Sequence, residues 1–63
     1  MCLSTVYTVI NGSENKIKEY VCNIELDGNN ITLTDIMGDK ITVQGKLKSM
    51  DFVKNFAIID SEE

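Results

Sequence analysis

Two positions in this 63-residue chain carry thiols, Cys2 and Cys22. Cys2 follows the initiator directly, and a residue as small as cysteine at position two normally allows Met1 to be removed. The mature chain would then start with a free α-amine on a cysteine. Amine nitrogen and thiolate sulfur of one residue close a five-membered chelate ring on a metal ion. With ordinary pKa values of about 7.7–8.0 for the amine and about 8.5 for the thiol, a bound metal must displace both protons. One such end offers two ligands, and two ends joined in a dimer offer four. A planar set of nitrogen and thiolate suits Ni(II) or Cu(II), whereas tetrahedral, sulfur-rich sets favour zinc. The plain alternative for Cys2 is an incidental thiol at a chain terminus.

Cys22 reads differently. It alternates with Tyr20, Ile24 and Leu26 on what the pattern makes one strand face. Free cysteine packs as a small hydrophobe and is among the most buried residue types, so Cys22 is expected in the core. Its spacing from Cys2 matches no zinc pattern and there is no C-x-x-C. A Cys2–Cys22 disulfide does not suit a reducing compartment. The carboxylates form no motif: Asp35, Asp39 and Asp51 sit beside turns, and Asp27 with Asn29 opens a calcium-like loop that lacks its remaining ligands. They read as solvated surface. No glycine-rich phosphate loop is present. The four aromatics, Tyr7, Tyr20, Phe52 and Phe56, are about what a core of this size needs.

The missing residue types narrow the chemistry further. There is no His, no Trp and no Arg, and six lysines face ten carboxylates for a net charge of −4. Without His, the commonest acid/base group and metal ligand near neutral pH is absent, and a Ser–His or Cys–His nucleophile pair is impossible within the chain. Without Arg there is no bidentate fork for phosphate or guanine. An enzyme is therefore not expected.

These residues must be positioned by a small frame. A chain this short buries only about 60% of the surface its unfolded form exposes, and folds of this size usually draw on a metal, disulfides or a partner subunit. The composition, 43% apolar and 25% charged, is that of a globular domain, read as a single domain over residues 1–63. No apolar run approaches the roughly 20 residues that span a bilayer. The first ten residues lack the positive charge of a signal peptide, so the expected location is cytoplasmic.

The fold class expected is all-β, a small antiparallel meander or barrel of about six short strands. Residues 3–10 (LSTVYTVI) are rich in β-branched and aromatic side chains. A polar loop over 11–15 leads to a strand over 17–26. Asp27-Gly28-Asn29-Asn30 is a strong turn signal, because Gly and Asn tolerate positive φ. Strands over 31–36 and 41–43 flank the Gly38-Asp39 turn. Gly45 is the expected bulge or bend. Residues 47–53 and 56–60 form a last hairpin around Lys54-Asn55. The competing pattern is a helix over 47–56, but Phe52, Val53 and Asn55 favour strand and turn.

The opening Met1-Cys2-Leu3-Ser4-Thr5-Val6-Tyr7 and the β-rich body resemble the CooT family of small nickel-binding proteins. The likeness runs through Tyr20-Val21-Cys22-Asn23-Ile24-Glu25, the turn before Ile31, the Gly38 turn, Gly45 and the closing Phe56-Ala57-Ile58-Ile59-Asp60. Only the N-terminal Met-Cys is distinctive. The resemblance implies a homodimer that holds Ni(2+) through Cys2 of both subunits. It further implies nickel delivery or storage for maturation of a nickel enzyme such as carbon monoxide dehydrogenase. Members have also been labelled in general terms as RNA-binding. Here an acidic chain argues against nucleic acid, although Lys46, Lys48 and Lys54 could form a local patch. A third reading is an adaptor that pairs a partner along an exposed strand edge.

Overall fold

The computed structural model describes residues 3–61 of the chain. Five strands follow one another: β1 (Ser4–Ile10), β2 (Ser13–Asp27), β3 (Asn30–Asp35), β4 (Lys40–Asp51) and β5 (Phe56–Ser61). Each pairs antiparallel with the next, and β5 returns to pair parallel with β1, closing a barrel. Parallel closure follows from the count. Strands of a meander alternate in direction, so the first and last of an odd number run the same way.

The difference from the six expected strands lies at Gly45. The strands expected over 41–43 and 47–53 are one strand, β4, which bends through Gly45 and ends at Asp51. Gly45 is buried, and a Cβ placed there would run into the carbonyl oxygen of Asp60 and stand 3.1 Å from Ile59 Cγ2. Only glycine lets β4 turn this closely over β5. No helix occurs among the described residues, over 47–56 or elsewhere.

The turns follow their chemistry. The polar loop expected over 11–15 is a two-residue hairpin turn, since Ile10 pairs with Ser13 and both Asn11 (φ 52) and Gly12 (φ 78) have positive φ. That is the type I′ requirement, which Asn-Gly meets at low cost. Gly28 turns β2 into β3 in a second two-residue hairpin.

Two long strands each serve two partners. β2 pairs with β1 up to Val21 and with β3 from Val21 onward. β4 pairs with β3 up to Gln44 and with β5 from Gly45 onward. At these corners the barrel interior receives Val6, Val21, Ile31, Leu33, Ala57 and Ile59, all fully buried, with Ile17, Ile24, Ile41, Val43 and Leu47 packed around them. Complete burial of a Val, Leu or Ile side chain contributes about 1.5–3 kcal/mol, so five of these and one alanine make a thin core, as the length requires.

β2 reaches this arrangement through bulges. Ile17 is an extra residue between Lys16 and Lys18, a second extra residue falls between Lys18 and Val21, and Cys22 is an extra residue opposite β3. Each insertion reverses the in–out alternation. Ile17, Val21 and Ile24 therefore point inward at spacings of four and three instead of two.

Candidate functional site

Cys2, the residue singled out for metal chemistry, lies outside the described residues. The structure does show how the strand that follows it is held. Ser4 pairs with Val21 of β2, and the Thr5 amide donates to the Asn55 carbonyl at 3.0 Å. Thr5 pairs with Phe56 of β5. Asn55 belongs to the turn that joins β4 to β5, and the Asp51 carboxylate organises that turn by accepting the amides of Val53 (2.9 Å) and Lys54 (2.8 Å). Asn55 itself takes a positive φ of 57, which asparagine tolerates. The start of β1 is thus clamped between β2 and the β4–β5 turn.

Ser4 also borders a groove of about 300 Å³. One wall is β2 beyond Val21, with Cys22, Ile24 and Leu26; the other is β4 beyond Gly45, with Leu47 and Met50, followed by Phe52. The groove exists because the two long strands separate here. Among the described residues, β2 from residue 22 on has β3 on one side only, and β4 from residue 45 on has β5 on one side only. Leu26 (60% exposed) and Phe52 (74%) stand open to solvent along it.

Cys22 is a correction to the sequence reading. It is an exposed free cysteine, not a core residue. The bulge at Cys22 breaks the alternating face with Tyr20, Ile24 and Leu26: Val21 takes the buried position, while Tyr20 and Leu26 are exposed.

Asp35 is also more than solvated surface. Its Oδ1 accepts the amides of Met37 (2.9 Å) and Asp39 (3.0 Å), shaping the turn into β4, and its Oδ2 stands 3.0 Å from Lys18 Nζ. The Lys18 ammonium, chiefly through its hydrogen bond, and the two turn amides hold this carboxyl below the ordinary carboxylate value, against a smaller opposing effect of burial. The aspartate-x-x-glycine-aspartate run, 35–39, was the available signal. Lys46, Lys48 and Lys54 are exposed, the first two on β4 and the third in the turn after it. A second groove, between Thr8, Ile10 and Ile17 on one side and Thr42, Val43 and Gln44 on the other, contains no titratable side chain in its walls.

Among the described residues, no three of the Cys, Asp and Glu side chains come together in a set able to hold a metal ion. Among the described residues no helix is long and apolar enough to cross a membrane. The fold can therefore offer a fixed strand start, a neighbouring apolar groove and one exposed thiol on its wall.

Comparison with known proteins adds the family. The family model of CooT, the CO dehydrogenase accessory protein, matches residues 1–60. Among solved structures, the crystal structure assigned to CooT of Carboxydothermus hydrogenoformans superposes with a TM-score of 0.87 over 98% of this chain and 100% of that one, at 19% identity. At that identity the superposition shows a shared fold. No curated protein sequence matches the chain.

Proposed function

Because this chain belongs to the CooT family, we propose that it is an accessory protein in the maturation of carbon monoxide dehydrogenase, binding Ni(II) as a homodimer through Cys2. The observation that carries this reading is the family match itself, which runs from residue 1 to residue 60 and so takes in Cys2. The chemistry supports it. With no His in the chain, a chelating terminal cysteine is the strongest donor set available for a borderline metal. Removal of Met1 supplies the amine nitrogen, deprotonation supplies the thiolate, and two chain ends complete four ligands. The role is one of holding and handing over an ion, with no bond made or broken in a substrate.

The test is an absorption titration of the purified chain with Ni(II). Thiolate-to-nickel charge transfer should grow and saturate at one ion per two chains. A Cys2→Ser variant that binds Ni(II) equally well overturns the assignment. Intact mass of the cellular protein reports whether Met1 is removed, as the chelate requires.

A further inference from the structure

The second groove lies at the opposite end of β1 from Ser4. There the last residues of β1 and the bulged Ile17 of β2 face the start of β3 and the middle of β4, across a space of about 530 Å³. Small-molecule sites favour the mouths of barrels, measure about 300–1,000 Å³, and combine an apolar lining with a few placed polar groups.

One side chain at this mouth is unexplained by packing. Strand alternation puts Val6, Thr8 and Ile10 on one face of β1, the face that begins in the core at Val6. Thr8 is 6% exposed, the most deeply covered polar residue among those described. Its hydroxyl has no hydrogen-bond partner among the described residues. Removing a hydroxyl from bulk water without a partner destabilises a fold, and valine would occupy nearly the same space without that cost. Thr34 also carries a buried hydroxyl without a partner, but it borders neither groove. Thr8 is in the lining of this one.

From this arrangement we propose that the barrel mouth binds a small uncharged molecule with an aliphatic body and an amide head. The head is hydrogen-bonded to Thr8 Oγ1, and the body lies against Ile10, Ile17 and Val43. The lining sets each part of that description. It contains no Asp, Glu or Lys, so an ionic ligand would give up water and meet no counter-charge. It contains no aromatic ring, so a flat base has no face on which to stack. Asn30 and Gln44, a cross-strand pair, stand at the rim. Their carboxamides and the Thr8 hydroxyl each donate and accept, and a primary amide answers them with two donors and an acceptor.

The test is an amide-resolved NMR titration of the full chain, without metal, so that its outcome is independent of the nickel reading. The probe is 4-methylpentanamide, with 4-methylpentanoate and 4-methylpentylamine as its charged counterparts. The neutral amide should shift the backbone signals of Thr8, Ile10, Ile17 and Val43 and saturate at one molecule per chain. Both charged counterparts should bind about tenfold more weakly or worse. Thr8→Val should weaken the neutral amide about fivefold, the loss of one neutral hydrogen bond. The same variant should have a higher melting temperature, because a hydroxyl kept for a ligand serves no structural purpose. No saturable shift up to the solubility limit of the amide overturns the site, as does equal binding of the charged counterparts. Unweakened binding by Thr8→Val, or a lower melting temperature in that variant, overturns the role given to the hydroxyl and the proposal with it.

Discussion

Lys18 Nζ lies 3.0 Å from Asp35 Oδ2, an ion pair that ties the bulged middle of β2 to the end of β3. Both side chains are largely covered, 13% and 14% exposed, unlike the half-exposed Lys16–Glu19 pair at 3.2 Å on the same strand. The other oxygen of Asp35 is already engaged with the turn amides of Met37 and Asp39. One carboxylate therefore holds both the corner of β2 near Val21 and the turn into β4.

The pH dependence of stability follows from that carboxylate. The Asp35 pKa is lowered in the folded state. A group whose folded pKa is depressed contributes stability above its unfolded pKa, and the contribution fades as pH falls through the folded value. Thermal melts should therefore show a loss below about pH 4, and Asp35→Asn should flatten that acid limb while lowering the melting temperature at neutral pH. An unchanged acid limb in Asp35→Asn would show that other carboxylates set it.

Gly45→Ala should destabilise the chain by about 1–3 kcal/mol, the cost of forcing atoms into a filled space. The new Cβ would meet the Asp60 carbonyl, which is backbone and cannot swing aside. Chemical denaturation reads the effect as a lower midpoint. Gly28→Ala makes a useful comparison, since a Cβ there meets nothing within 4 Å and only its positive φ of 61 opposes the change.

Cys22→Ser should alter subunit stability by no more than about 0.5 kcal/mol, as surface substitutions usually do. Were Cys22 packed in the core, the buried hydroxyl would cost about 1–3 kcal/mol. A denaturation midpoint for this variant separates the exposed bulge from a core position.

Tyr20 holds φ at 58 where β2 leaves β1 for β3, and its carbonyl accepts the Ile36 amide at 3.1 Å. A bulky residue in the left-handed region costs about 1–2 kcal/mol, and asparagine tolerates it better. Tyr20→Asn should therefore raise the melting temperature. A lower one would mean that the half-exposed ring contributes more packing than the strain it carries.

The strands and turns were legible in the sequence to different degrees, for local reasons. Gly28 and Gly38 announce their turns because positive φ selects such residues, and the β-branched run over 3–10 announces β1; the polar run over 11–15 announced a loop, but residues 13–15 already belong to β2. Gly45 was legible as a bend; what the sequence did not show is that the segments on either side of it, 41–43 and 47–53, belong to one strand, β4. Cys22 was misplaced for a different reason. Bulges depend on register against a partner strand, and nothing adjacent to Tyr20 or Cys22 marks them. The groove was invisible for the same cause, as one wall comes from residues 22–26 and the other from residues 47–52. Cys2 was singled out by its position after Met1 and by the likeness of the chain to a family, and it lies outside the described residues.

The central claim is that two chain ends share one nickel ion. Native mass spectrometry of the purified chain mixed with Ni(II) tests it most directly. The expected species holds two chains and one ion, is lost in Cys2→Ser and is retained in Cys22→Ser. A single chain carrying its own ion, or a two-chain, one-ion species undiminished in Cys2→Ser, would contradict it.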